Sequence, residues 1–375
     1  MEARKTHPLL TQSLEVSNRI KNLKPYDPVS SLDTIKQNPG ITHFKLDWNE
    51  TTVPPSPKVK EALVAYLNNG SKLEWYPEMF HRKLFEHVAD YVGCDVSQVL
   101  VTNGSDDALD LICQSYLDPT DNVISPVPTY NHFLQFAERT GAEVVRVQGI
   151  NPLIPSLKDV CNVVNENTKI IYLANPNNPT GNLYSPAEVL QLALKYPHCL
   201  IVSDEAYFEF AGISCAKLAE EVDNIVTTRS FSKCFGLAGL RIGYLVASTS
   251  VIENMRRVHN PKSVNMLAQI AAIAALEDLP YYKSYIRSVK RSASLVERFC
   301  KEHNLPCWST YANFILIRFN DATRMSKRLA EIGVHVRDRS KQIPGMLRLG
   351  LGTEEQTKEV LARLETLLDE DLLPA

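Results

Sequence analysis

The chain has 375 residues, 44% of them hydrophobic, and a formal net charge of -3 from 40 basic and 43 acidic side chains. It is long enough to bury a core in about two domains, and it has no basic surplus with which to hold nucleic acid or an anionic membrane. Its eight cysteines are scattered without a C-x-x-C pair or a His/Cys cluster, which argues against a disulfide framework or a metal site and for reduced thiols in the cytoplasm. The opening "MEARKTHPLLTQSLEV" lacks the apolar core of a signal peptide, and "MLAQIAAIAAL" is too short to span a bilayer, so no membrane partner is expected.

In chain order, residues 1–50 read as an arm, with one apolar segment at "FKLDWNE". "SPKVKEALVAYLNN" carries helical spacing with Pro57 near its start. "QVLVTNGS" reads as strand then turn, "DDALDLICQSYL" as the following helix, "NVISPVPTY" as a strand, and "NHFLQFAERTG" as a helix with a glycine stop. "AEVVRVQ", "TKIIYLANP", "CLIVSDEAY" and "NIVTTRSFS" are β-branched strands separated by helical patterns such as "SPAEVLQLALKY". Such alternation predicts an α/β fold with a mainly parallel sheet in a large domain, residues 51–265. Beyond it come long helices, then strands "NFILIRF" and "MLRLGLG" flanking the helix "ATRMSKRLAEIG", which predict a smaller C-terminal α/β domain over 266–375.

Ligands of such sheets gather at the carboxyl ends of the strands. There the sequence places Gly104, Ser105 and Asp106 at the opening of a helix, a turn suited to phosphate or, alternatively, an ordinary N-cap. It also places the amide-rich loop "NPNNPTG", Asp204 with Tyr207 just beyond, and Ser230, Ser232 and Lys233 in "SFSKCFGLAGLRIGY". The plain alternative for Lys233 is a surface charge ahead of a core helix. Taken together, a lysine, an acid on another strand end, a phenol, an amide loop and a phosphate turn are what pyridoxal 5'-phosphate requires. The lysine links covalently, the carboxylate keeps the pyridine nitrogen protonated, and Arg241, hydroxyls and a helix N-terminus hold the phosphate.

The chain resembles the class I/II aminotransferases of PLP fold type I, within them the histidinol-phosphate aminotransferase branch. The resemblance runs through "LKPYDP", "LDWNE", "EWYPE", "NGSDDALDLI", "PTY", "NPNNPTG", "DEAYFEF", "SFSKCFGLAGLRIGY", "VHVRDRS" and "MLRLGLGT", in the family's order. It implies that Lys233 is the Schiff-base lysine, Asp204 the partner of the ring nitrogen, Tyr207 and Asn178 the ring-oxygen contacts, and Tyr130 the stacking aromatic. It implies a phosphate cradle of Ser105, Asp106, Ser230, Ser232 and Arg241, completed by Tyr76 from a second subunit of a homodimer with shared active sites. Arg348 would receive the amino-acid carboxylate and Arg337 the substrate phosphate. Asn49 and Tyr26 would lie by the substrate, Tyr26 alternatively only anchoring the arm, while Arg339 is expected to be a solvated charge. The substrates implied are a small amino donor and a 2-oxo acid.

This chain departs from the family in two places. Cys234 follows the lysine where a small residue is common, and is expected to pack. "LDWNETTVPPSP" replaces the usual "LNENPYGPSP", which bears on substrate rather than cofactor. Three rival functions stay open: a decarboxylase of the phosphothreonine or phosphoserine type, an aromatic aminotransferase, and a non-catalytic PLP-binding regulator.

Overall fold

The computed structural model describes residues 15–21, 23, 40–79, 82–148, 153 and 156–368. Seven strands form the principal sheet: β2 (Val99–Thr102), β3 (Asn122–Val127), β4 (Glu143–Gln148), β5 (Thr168–Ala174), β6 (Leu200–Asp204), β7 (Ile225–Ser230) and β8 (Gly243–Ala247). Their order is β2-β8-β7-β6-β5-β3-β4. Pairings among β4, β3, β5, β6 and β7 are parallel, while β8 runs antiparallel to both its neighbours, β7 and β2. The carboxyl ends of β2, β3, β5, β6 and β7 therefore share one edge, and that edge holds the turn at Gly104, Tyr130, Asn178, Asp204, Tyr207 and Lys233. The expected mainly parallel sheet is present, in agreement with the solved folds described below.

Strand β8 is a correction. The apolar run after Lys233 is not a core helix: it passes through a single 3-10 turn at Ala238–Leu240 and enters the sheet as β8, fully buried. The core helix in the plain alternative for Lys233 is thereby excluded. Short, uniformly apolar runs carry no periodicity by which strand and helix differ.

A second sheet has the order β12-β13-β10-β9, all antiparallel, from β9 (Cys307–Trp308), β10 (Phe314–Arg318), β12 (Arg337–Asp338) and β13 (Met346–Gly350). A two-stranded parallel ribbon joins β1 (Phe44–Lys45) to β11 (Val334–His335), so the segment leading into "LDWNE" is tied to the C-terminal region. Helix Met266–Leu276 packs on helices Pro57–Asn68 and Arg82–Val92, and helix Leu279–Glu302 packs on helix Glu354–Glu365. Among the described residues no helix is long and apolar enough to cross a membrane. All eight cysteines are free thiols, and Cys234 is buried in the core as packing.

Candidate active site

The phosphate turn is built by glycine. Helix Ser105–Tyr116 has Gly104 as its N-cap, at φ 87°, and no side chain caps it. Ser105 and Asp106 are the first helical residues, so the alternative of an ordinary N-cap by either of them is excluded. Open backbone N–H groups remain at the positive end of a helix dipole. Arg241 lies across that end: a Cβ on Gly104 would meet its Nη2 at 2.7 Å. A side chain at Gly243 would meet the Ser105 nitrogen at 2.6 Å, so β8 also approaches the turn closely. Arg241 Nη2 pairs with the Asp106 carboxylate at 3.3 Å, and the Tyr130 hydroxyl donates to the same carboxylate at 2.8 Å. The Asp106 side chain is thus engaged by neighbours, and what it offers an anion is its backbone N–H. Ser230 and Ser232 are buried on the adjoining strand end, where the Ser232 backbone N–H donates to Ser230 Oγ at 3.0 Å.

Asp204 ends β6 and is fully enclosed. The Tyr172 hydroxyl donates to its Oδ2 at 2.8 Å and Thr228 Oγ1 donates to its Oδ1 at 3.0 Å. Among the described residues no cation reaches it. Burial pushes its carboxyl up to about 6, against the lowering effect of the Tyr172 and Thr228 hydrogen bonds. Neither Tyr172 nor Thr228 was found from sequence. Thr228 stands directly opposite Asp204 across the β6–β7 ladder, a neighbour visible only once the register is known. Behind Asp204, the buried Glu205–Arg229 pair at 3.1 Å and the Cys215 N–H donated to Glu205 Oε1 at 2.6 Å pin the segment that carries Tyr207.

Tyr207 is the hub. Its hydroxyl accepts from Asn49 Nδ2 at 2.9 Å and from Asn178 Nδ2 at 3.4 Å, and its ring meets Phe314 edge-on at 5.2 Å. Asn178 is presented by a loop locked from within, since Asn177 accepts from Thr129 and donates to Pro128 O and Thr180 Oγ1. The Lys233 amine donates to Trp48 O at 2.9 Å and stands 5.9 Å from the Tyr207 ring centre.

Three consecutive residues of the N-terminal segment face this site. Arg348 Nη2 donates to Asp47 O, Lys233 to Trp48 O, and Asn49, at φ 55°, reaches Tyr207. Only Asn49 was expected; backbone carbonyls leave no signal in a sequence. Arg348, buried on β13, also donates from Nη1 to Asn178 Oδ1 at 2.6 Å. Arg337 sits opposite Arg348 across the β12–β13 ladder, partly buried, without a hydrogen bond or ion pair among the described residues. Arg339 departs from expectation. It is partly buried, and its Nη2 donates to Asn178 Oδ1 at 2.9 Å, so it is a neighbour of Arg348 rather than a solvated charge. Tyr76 is exposed, with Lys262 Nζ 4.5 Å over its ring. Tyr26 lies outside the described residues.

The sequence model of the family described as "Aminotransferase class I and II" matches residues 41–364. The chain belongs to the class I and II aminotransferases. It is 33% identical over 371 residues to a histidinol-phosphate aminotransferase of Geobacillus sp. (strain WCH70), covering 96% of this chain and all of the relative. It is 34% identical over 360 residues to a dihydroxyacetone phosphate transaminase of Campylobacter jejuni, covering 94% and 97%. In fold it is similar to the histidinol-phosphate aminotransferase of Sinorhizobium meliloti solved with pyridoxal-5'-phosphate, at a TM-score of 0.84 and 22% identity over 96% of this chain and 100% of the other.

The cofactor of this class is pyridoxal 5'-phosphate, and two features of the aminotransferase site fit it. A buried carboxylate at Asp204 with a raised pKa is complementary to a protonated pyridine nitrogen. An uncapped helix N-terminus crossed by Arg241 is complementary to a phosphate. Lys233, 5.9 Å from the Tyr207 ring centre, and Asn178, bonded to the Tyr207 hydroxyl, stand at ends of strands of the same sheet edge.

Proposed function

We propose that this aminotransferase moves an amino group between glutamate and a phosphorylated partner, with histidinol phosphate and 2-oxoglutarate as the first pair to test. The observation that carries this is Arg337 and Arg348, directly opposite on one face of the small sheet, with Arg348 bonded to Asn178 beside Tyr207. Two relatives of different name, acting on histidinol phosphate and on dihydroxyacetone phosphate, support it, because their substrates share a phosphate ester.

When bound, pyridoxal 5'-phosphate supplies a carbonyl for amines and a ring that accepts electrons from an adjacent carbanion. The chain supplies the rest. Lys233 would hold the covalent link and, once released by the incoming amine, would carry the proton from the substrate carbon to the cofactor carbon that had been linked to the lysine. Asp204 keeps a proton on the ring nitrogen, and its enclosure by Tyr172 and Thr228 keeps water from competing for it. Tyr207 and Asn178 hold the ring oxygen. Arg348 orients the carboxylate of glutamate through a bidentate fork, and Arg337 meets the phosphate of the partner substrate.

Arg337→Ala is expected to lower kcat/KM for histidinol phosphate by about 10- to 150-fold, the loss of roughly 1.5–3 kcal/mol for a hydrogen bond to a charged group. The glutamate half-reaction should fall much less, whereas Arg348→Ala should damage both. Equal losses in Arg337→Ala would favour an aromatic aminotransferase. Carbon dioxide released from phosphothreonine or phosphoserine without glutamate formation would favour the decarboxylase.

The same reading makes the enzyme a cytoplasmic homodimer in which Tyr76 serves the partner's phosphate. The exposure of Leu73, Trp75, Tyr76 and Met79 along one short segment supports a covered surface there. Mixing Lys233→Ala with an inactive Tyr76 variant should restore part of the activity, because one site of each hybrid dimer is then whole. Verified hybrids without recovery would show that Tyr76 is not shared.

A further inference from the structure

We infer that Arg339 is a specificity-determining residue of the amino-substrate pocket, which acts with Arg348 to select a phosphate dianion over the lone carboxylate of glutamate. The inference deepens the phosphate-ester reading above and rests on it for the identity of the substrate.

The backbone presents Arg339 by design of its loop. Its N–H donates to Met346 O at 2.9 Å, and its carbonyl accepts from the N–H groups of Gln342 and Ile343, both at 2.8 Å. Residue 338 faces the other way: Asp338 accepts from Thr323 Oγ1 at 2.6 Å and from the Ser340 N–H at 2.8 Å. Arg337 shares a face with Arg348 across the β12–β13 ladder, and Arg339, just past the end of β12 but bonded to Met346 O, brings its guanidinium to the same Asn178 oxygen that Arg348 reaches.

The ends of two of these arginines meet at one atom. Asn178 Oδ1 accepts from Arg348 Nη1 at 2.6 Å and from Arg339 Nη2 at 2.9 Å, while Asn178 Nδ2 reaches the Tyr207 hydroxyl. A solvated surface charge has no reason to seek an amide 161 residues away that already serves a buried arginine. A carboxylate has two oxygens, and the fork of Arg348 satisfies both. A phosphate monoester has three terminal oxygens and about one more negative charge, so guanidinium groups beyond that of Arg348, Arg337 across the ladder and Arg339 beside Asn178, add affinity for it that a carboxylate does not receive. Selectivity is that difference.

The test uses the holoenzyme and the variants Arg339→Gln, which keeps an amide donor without the charge, and Arg339→Lys, which keeps the charge without the fork. Arg339→Gln is expected to lower kcat/KM for histidinol phosphate by about 10- to 100-fold and to weaken calorimetric binding of inorganic phosphate in step. Its glutamate half-reaction should fall by a smaller factor than turnover of histidinol phosphate, with the visible cofactor spectrum unchanged, and Arg339→Lys should recover part of the phosphate preference. Equal losses for both substrates with a shifted spectrum would mean that Arg339 acts through Asn178, and would overturn the inference. Unchanged phosphate binding and turnover would overturn it too. Should the wild-type enzyme turn over neither histidinol phosphate nor dihydroxyacetone phosphate, the substrate reading fails, yet the phosphate titration still decides Arg339: weaker binding in Arg339→Gln sustains its role, equal binding ends it. Melting temperatures accompany each variant, and if Arg339→Gln does not fold, Arg339→Met carries the same comparison.

Discussion

Lys233→Ala is expected to lose turnover by about 10⁴-fold or more, because in the proposed mechanism one side chain supplies both the covalent link and the proton transfer. General acid–base catalysis alone contributes about 10²–10⁴-fold, and the covalent function adds to it. The surroundings favour this lysine over others. Its amine lies 2.9 Å from Trp48 O and faces Tyr207, whereas Lys262 lies over the exposed ring of Tyr76. The wild-type holoenzyme should be yellow, and borohydride should fix the cofactor to the peptide containing Lys233. Lys233→Ala should bind the cofactor only reversibly. A label recovered on Lys262, or a variant retaining a tenth of the activity, would remove the whole strand-end assignment.

Asp204→Asn is expected to have opposite effects on activity and on the stability of the cofactor-free protein. Activity should fall by about 10³-fold or more, equivalent to some 4 kcal/mol in the barrier, because a neutral amide does not hold a proton on the ring nitrogen. Stability should rise. The folded carboxyl is pushed up to about 6 from its ordinary 3.8 by burial, so the folded state holds this proton more tightly than the unfolded chain. Below pH 3.8 the group is protonated in both states and costs nothing. The penalty grows as pH rises between 3.8 and about 6 and is complete above that. A shift of about two units corresponds to about 3 kcal/mol, from which the amide forfeits about 1 kcal/mol by losing an acceptor for Tyr172 or Thr228. Cofactor-free Asp204→Asn should therefore be more stable than wild type by about 2 kcal/mol in denaturant titrations at pH 8, with the advantage shrinking at pH 4.5. An advantage independent of pH, or none at pH 8, would show that Asp204 is not held as a buried, unpaired carboxylate.

The placement of these two residues at strand ends was legible in the sequence for a physical reason. A strand in a parallel sheet reads as a β-branched run, its end is marked by the turn residues that follow, and ligands gather at those ends. Lys233, Asp204, Tyr207, Asn178 and the turn at Gly104 each follow such a run, so chain order alone placed them on one edge. Helix boundaries at Pro57 and Gly141 were legible too, because proline and glycine fix local backbone geometry whatever surrounds them.

Other features depended on contacts between residues far apart in the chain. β8 was hidden because five buried apolar residues are consistent with either kind of element, and only pairing with β2 and β7 decides between them. Tyr172 and Thr228 became partners of Asp204 through strand register, and Trp48 and Asp47 entered the site through carbonyl groups that every residue possesses. Arg339 shows the difference most plainly. It reads as a solvated charge in the sequence, but the β12–β13 pairing that precedes it and its own backbone bond to Met346 O bring its guanidinium onto Asn178. Local sequence determined which residues stand at the strand ends of this aminotransferase, since propensity and turn chemistry act over a few residues. Which arginines converge on Asn178 was decided by tertiary structure, since register and long-range hydrogen bonds set the direction in which each side chain points.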